Sequence, residues 1–250
     1  MRAVLALIAL LLLGAARDPI LVPEVSQHEI RLRQGFTGTE LLLFGAILNP
    51  QGSRAAQEYD IVVVLKGPTQ SIVVREKQKV AGIWINADSA EFRSAPSYYA
   101  IASNRPIDDI VDEKTAAIYE LGLPWLQLSP IGAIDPEEQR RFADGLVDLN
   151  GRNGLYRQAE GEVSVSEQVL YQARIYLPSS VPIGTYAAET FAISKGLVVA
   201  SASSTVEVRK LGFERAVADF AEDMSFLYGL LAVVISIFMG WLAGRLFSFI

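Results

Sequence analysis

Hydrophobic residues are arranged along the chain in three different ways. Two uninterrupted apolar runs, residues 3–13 and 226–244, lie near the two ends and contain no charged residue. Between them, short apolar segments alternate with polar residues and turn formers, which is typical of β-strands. Residues 106–151 instead repeat their apolar positions at helical spacing. The pattern therefore predicts a mainly β domain with a helical insertion, flanked by two hydrophobic ends.

The strand-like segments predict an immunoglobulin-like β-sandwich. They are rich in β-branched and aromatic residues and cover residues 29–33, 40–48, 59–65, 71–75, 80–85, 97–102, 169–177, 186–193 and 197–208. The group after residue 151 spans only about 50 residues, which is marginal for an independent sandwich. We therefore expect it to complete the sheets begun by the first group, with two separate β domains as the alternative.

The insertion at residues 106–151 is predicted to contain two helices. The first is expected over Pro106–Leu121, where glycine and proline follow and stop it. The second begins at Asp135, with Pro136 in the first helical position and Glu138 completing a capping box, and ends at Asn150.

The N-terminus has the pattern of a secretory signal peptide. Arg2 precedes the apolar run, and small residues from Gly14 to Ala16 follow it. As a helix the run would be about 16 Å long, roughly half the thickness of a bilayer's hydrocarbon core. We expect residues 1–16 to be cleaved and residues 17–210 to form a periplasmic β-rich domain.

The second apolar run, residues 226–244, predicts a single transmembrane helix about 28 Å long. Residues 211–225 keep helical amphipathic spacing and predict a juxtamembrane stalk, followed after the span by a short cytoplasmic tail, residues 245–250. Acidic residues precede the span and Arg245 follows it, a weak positive-inside signal. The expected location is the bacterial inner membrane, with the bulk of the chain in the periplasm and the C-terminus in the cytoplasm.

Small residues recur every four positions in the predicted span, at Ala232, Ser236, Gly240 and Gly244. Small side chains allow a second helix to approach closely, and close packing stabilises helix association in lipid. Besides contacting the lipid bilayer, this helix is therefore expected to pack against a polytopic membrane protein or a copy of itself.

Composition restricts the chemistry available to the chain. The net charge is −6 and no run of Lys or Arg occurs, which argues against nucleic acid and anionic lipid as partners. Cysteine is absent, and the single histidine, His28, would have to serve any triad or histidine metal site alone. We expect no catalytic residue, no metal, no cofactor and no enzymatic activity.

Two groups of residues qualify as candidate sites but have simpler explanations. Acidic residues cluster at the start of the first predicted helix: Asp108, Asp109, Asp112 and Glu113. The helix macrodipole accounts for them, and the spacing of a calcium loop is missing. The aromatic residues Trp84, Tyr98 and Tyr99 are expected in the core, whereas an exposed aromatic patch would indicate a binding surface.

Segments spread over most of the chain carry a family signal. They are Phe36–Gly38, Glu40–Ile47, Gly82–Asn86, Pro96–Ser103, Leu177–Pro178, Gly184–Tyr186, Lys210–Glu214, Tyr228–Leu230 and Gly240–Leu242. Together they resemble an alphaproteobacterial transmembrane protein family of uncharacterised function. The resemblance implies a signal peptide, one span and gene neighbours that encode sulfite exporters of the TauE/SafE type, and it transfers no functional residue.

Three functional hypotheses follow. The first is a non-enzymatic accessory subunit of a membrane transport complex, with a TauE/SafE-type sulfite exporter as its partner. The alternative is a membrane-anchored periplasmic module that binds or senses a small molecule, although the tail after Gly244 is too short for a signalling domain. An anchored hydrolase ranks last because no nucleophile–base set is apparent.

Overall fold

The computed structural model describes residues 19–33, 35–48, 59–132, 134–210, 217 and 220–247. These described residues fall into two compact units, one within residues 1–30 and 37–208 and the other within residues 31–36 and 209–250. The predicted signal peptide and most of the predicted juxtamembrane helix lie outside the described residues. Each unit is described by itself.

The first unit is built mainly from strands. In the described residues they are β1 Ile20–Val25, β2 Glu29–Leu32, β3 Gly38–Leu48, β4 Asp60–Lys66, β5 Thr69–Val80, β6 Ile83–Pro96, β7 Tyr99–Ser103, β8 Tyr156–Glu160, β9 Ser164–Ser166, β10 Leu170–Pro178, β11 Gly184–Ser194 and β12 Leu197–Lys210. One sheet has the order β1-β3-β10-β9 and another the order β2-β12-β11-β4-β7-β8, while β5 and β6 form a separate hairpin.

The two larger sheets pack face to face as a sandwich. Tyr171 of β10 and Thr190 of β11 meet between them with a hydroxyl-to-hydroxyl distance of 3.3 Å, and both are buried. Because β10 pairs with β3 and β11 pairs with β4, the two groups of strands share both sheets and form one sandwich. The orders β1-β3-β10-β9 and β12-β11-β4-β7 match the A-B-E-D and G-F-C-C′ orders of immunoglobulin domains. The prediction of a mainly β, immunoglobulin-like domain is confirmed.

A tyrosine fixes the corner before β11. Tyr186 is fully buried, and its hydroxyl donates a hydrogen bond of 2.7 Å to the carbonyl oxygen of Pro182, four residues earlier. Immunoglobulin-like sandwiches place a tyrosine with this backbone contact near the start of strand F, which β11 matches. The contact depends on the fold, because the local pattern of residues 182–186 does not indicate it.

The helical insertion connects β7 to β8, which pair in parallel. The predicted continuous helix over Pro106–Leu121 is wrong, because two short helices replace it: α1 Ile107–Ile110 and α2 Glu113–Tyr119. Val111 between them is extended and forms a bridge with Gly196. A contact distant in sequence therefore interrupts a locally helical pattern.

The second predicted helix is confirmed as α3, Pro136–Arg152, after a 3-10 turn at Leu123–Trp125. The Asp135 carboxylate caps it by accepting a hydrogen bond of 2.9 Å from the backbone N–H of Glu137. The apolar face of α3, with Phe142 and Leu146, packs against Phe92 of β6 in a small core of its own.

The hairpin of β5 and β6 extends beyond this small core. Val80 pairs with Ile83, so Ala81 and Gly82 form a two-residue turn in which both residues have positive φ, 49° and 88°. This is the geometry of a type I′ turn. The prediction of one strand over residues 80–85 is therefore wrong, because those residues contain the turn.

The second unit contains the helix α4, Ser225–Phe247. Residues Ser225–Arg245 have a mean hydropathy of 2.2, and none of the span's apolar window is buried within the chain. At about 1.5 Å per residue it is about 32 Å long, enough to cross a bilayer. The predicted span at residues 226–244 lies within this helix.

Candidate functional site

The small residues of α4 collect on one side of the helix. Successive residues turn by about 100°, so residues four apart drift by only about 40°. Ala232, Ser236, Gly240 and Gly244 therefore lie within a sector of about 120°. The remaining small residues of the helix fall in the same sector, which we call the small-residue face: Ser225, Gly229, Ala232, Ser236, Gly240, Ala243 and Gly244.

The glycines of the small-residue face have no close neighbours among the described residues outside the helix, and the Ser236 hydroxyl is bonded within it. A Cβ atom added at Gly229, Gly240 or Gly244 would meet no atom within 4 Å. The Ser236 hydroxyl donates a hydrogen bond of 2.8 Å to the Ala232 carbonyl oxygen, so its polar group is satisfied within the helix. The glycines therefore pack against no other residue in the part of the chain that the structure describes, which leaves this face open to another helix at close range.

The single histidine lies at the surface. The side chain of His28 is 67% exposed, and its Nε2 atom is 3.1 Å from the carboxylate of Glu24. Its backbone carbonyl accepts a hydrogen bond from the N–H of Glu207, which fixes the segment beside β12. This arrangement supplies no nucleophile for the imidazole to activate.

The acidic cluster divides between the two short helices. Asp108 and Asp109 lie in the first turn of α1, whereas Asp112 caps α2 and Glu113 begins it. Hydrogen bonds from Thr115 to the Asp112 carboxylate hold the pKa of Asp112 below its usual range. Within the described ranges, no group of three or more His, Cys, Asp or Glu side chains is placed to hold a metal ion.

Two of the three singled-out aromatic residues belong to the core. Tyr98 and Tyr99 are fully buried. The Tyr99 hydroxyl donates 2.6 Å to the carbonyl oxygen of Glu120 and accepts 3.1 Å from the N–H of Gly122. These bonds hold the turn after α2 against β7, so the role of Tyr99 is structural.

Trp84 contradicts the core expectation, because it is 66% exposed at the end of the β5–β6 hairpin. Val80, Ile83 and Ile85 beside it are also exposed, by 50%, 69% and 45%. We call these four residues the hairpin tip. The sequence signal that could have located it is Ala81-Gly82 between two long runs of strand-forming residues.

The clefts of the sandwich are open to solvent. The cleft beside β10 has a volume of about 410 Å³ and is lined by charged and polar side chains, including Arg157, Glu162 and Arg174. Arg157 already pairs with Glu162 at 3.0 Å. Another cleft holds Lys66, which contacts Glu120 at 2.8 Å and Glu189 at 3.4 Å. In each cleft, therefore, some of the lining charges are engaged with one another: Arg157 with Glu162, and Lys66 with Glu120 and Glu189.

Comparison with known proteins agrees with this architecture. No curated protein matches the chain. A family model described as "Putative transmembrane protein" (Alph_Pro_TM) matches residues 20–248, which include both the β-sandwich and α4. The chain therefore belongs to this alphaproteobacterial transmembrane protein family, as the sequence resemblance implies.

Proposed function

We propose that the chain is a non-enzymatic accessory subunit of a bacterial inner-membrane transport complex, with a polytopic protein such as a TauE/SafE-type sulfite exporter as its partner. In this proposal the β-sandwich is exported to the periplasm and α4 holds it at the membrane. The small-residue face of α4 contacts the partner.

The observation that carries the proposal is the small-residue face. Its glycines lie where an added side chain would meet no part of the described chain. Small residues lower the apolar contact that a helix makes with lipid chains, but they allow the backbones of two helices to approach closely. A face of this kind is therefore more useful to a helix that has a partner than to one that only anchors.

The sandwich supports a binding role over a catalytic one. Its singled-out polar groups are engaged in turns, caps and ion pairs, as with Tyr99, Asp112 and Lys66. An immunoglobulin-like sandwich is a rigid frame used for many functions, so the fold alone selects none of them. The small-residue face of the membrane helix is what favours a role as a binding subunit.

The test is a pull-down of the tagged full-length chain in mild detergent, with the recovered proteins identified by mass spectrometry. A Gly240→Leu, Gly244→Leu variant adds bulk to the small-residue face at two positions where an added Cβ atom meets no described atom within 4 Å. A Val234→Leu, Phe238→Leu variant changes the opposite side at the same spacing and serves as the matched control.

We expect the pull-down to recover a polytopic transporter with the wild-type chain and with the control variant. The glycine variant should not recover it. Recovery of the chain alone in every case would overturn the proposal and favour the small-molecule binding or sensing module. Retention of the transporter by the glycine variant would place the contact outside the small-residue face.

A further inference from the structure

The hairpin tip exposes large apolar side chains on both faces of the hairpin, with lysines beside Trp84 on one of them. Val80 pairs with Ile83 and Gln78 pairs with Ile85, whereas Trp84 pairs with Lys79 in the register between them. Side chains of successive pairs point to opposite faces of a hairpin. Val80, Ile83 and Ile85 therefore share one face, and Trp84 occupies the other.

The tip lies well beyond the packed part of the domain. The hairpin last contacts α3 where Arg141 lies 3.3 Å from Glu76 and 3.2 Å from Asp88. Residues 77–87 are all exposed. Large apolar side chains at a projecting end do not contribute to the buried core of the domain. They are therefore available for contact with a partner or a lipid bilayer.

Two lysines lie at the tip, and an acidic pair lies behind them. Lys77 and Lys79 are the charged residues of the segment 77–87, whereas Glu76 and Asp88 behind them lie beside Arg141 of α3. The sequence has no basic run, but the hairpin places both lysines on the face of Trp84, with Lys79 directly opposite Trp84. Lysine stems can lie along an apolar surface while the ammonium groups contact anionic headgroups.

We propose that the hairpin tip inserts into the headgroup region of an anionic lipid bilayer, as a second membrane contact besides α4. Lipid is fluid and can surround both faces of a narrow hairpin. The surface of a folded protein covers one face more readily, so a bilayer suits this tip better. From the Gln78–Ile85 pair to the turn the tip measures about 7 Å, at about 3.3 Å per residue. That length matches the depth of about 5–10 Å to which interfacial segments enter, and tryptophan favours that depth.

The experiment uses the absence of cysteine from the chain. The full-length variant Ile83→Cys, labelled with the environment-sensitive dye NBD, is reconstituted into phosphatidylcholine vesicles with or without phosphatidylglycerol. Lipids with brominated acyl chains act as quenchers. Ser203→Cys, at an exposed position of β12, is the matched control.

We expect a blue shift and quenching of the dye at residue 83 and neither effect at residue 203, with stronger quenching when phosphatidylglycerol is present. A Lys77→Glu, Lys79→Glu change should weaken the phosphatidylglycerol effect, whereas Lys195→Glu should leave it unchanged. Equal emission at residues 83 and 203 in every lipid would overturn the proposal. A blue shift in native membranes but not in pure-lipid vesicles would also overturn it and identify a protein as the occupant.

Discussion

Single tyrosine hydroxyls hold several corners of the sandwich. Tyr98, Tyr156 and Tyr186 each donate to a backbone carbonyl oxygen, at distances of 2.9, 2.6 and 2.7 Å. A buried carbonyl without a donor costs free energy, so these contacts matter more than their number suggests. At the residue scale, the domain depends on polar atoms inside an apolar core.

The corner at Tyr186 can be tested by Tyr186→Phe. The change removes one buried hydrogen bond and leaves the Pro182 carbonyl oxygen without its donor, so the free energy of unfolding should fall by about 1–2 kcal/mol. Chemical denaturation of the detergent-solubilised chain measures it. Tyr176→Phe removes a similar bond from an exposed side chain, to the Thr37 carbonyl oxygen, and should change stability by less than about 0.5 kcal/mol. Equal losses of stability in the two variants would contradict the stabilising role of the Tyr186 hydroxyl.

Alkaline pH should destabilise the domain through Tyr156. Burial raises the pKa of Tyr156 to about 12, and its hydroxyl donates to the Pro96 carbonyl oxygen. The folded state thus favours the neutral phenol. This contribution is complete below pH about 10, the unfolded value, and is lost as pH rises toward 12, by about 3 kcal/mol in total. Denaturation at several pH values should show Tyr156→Phe losing less stability across that window, and an unchanged dependence would refute the explanation.

At the element scale, the start of α3 follows from local signals, whereas the break between α1 and α2 coincides with a contact distant in sequence. Asp135 and Pro136 start α3 as local chemistry dictates. The break between α1 and α2 instead arises at Val111, whose bridge partner Gly196 is 85 residues away.

The cap of α3 gives a direct test. Asp135→Ala removes the acceptor of the Glu137 N–H and should lower the free energy of unfolding by about 1 kcal/mol. Asp144→Ala removes a carboxylate from an exposed position in the middle of the same helix. Because alanine favours a helix interior more than aspartate does, that control should leave stability unchanged or slightly raised. Thermal unfolding of both variants compares them, and a smaller loss for Asp135→Ala would exclude the capping role.

The difference between local signals and contacts distant in sequence also explains which features the sequence could predict. The membrane helix, α3 and the central strands follow from periodicity that is local. The turn at Ala81-Gly82 was missed because alanine rarely adopts positive φ and the pair lacks the usual Asn or Asp before glycine. Strand propensity alone therefore places Trp84 within a strand and in the core. The small-residue face was only partly recognised, because Gly229 and Ala243 join it through the helical turn and not through spacing by four.

At the scale of the whole molecule, the strand order links distant parts of the chain. The central strand β11 lies between β4 and β12, so β4 acquires both neighbours only when β11 is in place. Residues 61–65 of β4 are completely buried in the folded domain. Its stability therefore requires the last strands of the sequence.

A truncation tests this dependence. A chain ending after Pro178 should fail to fold, because β4 would become an apolar edge strand prone to association. A chain ending after Lys210 keeps all the described strands and should fold. Resistance to limited proteolysis distinguishes them, and a protease-resistant core in the shorter chain would show that β11 is dispensable.

Leu65 of β4 pairs with Ala188 of β11. During synthesis, β4 must therefore wait for β11 to be made before the two strands can pair. A ribosome adds about 5–20 residues per second, so the 123 residues between these partners take about 6–25 s to synthesise. During that interval the Ile-Val-Val-Val-Leu segment of β4 exists without the strand that later covers its edge. The segment that is most thoroughly enclosed in the finished domain is thus the one that most needs a chaperone while the chain is incomplete.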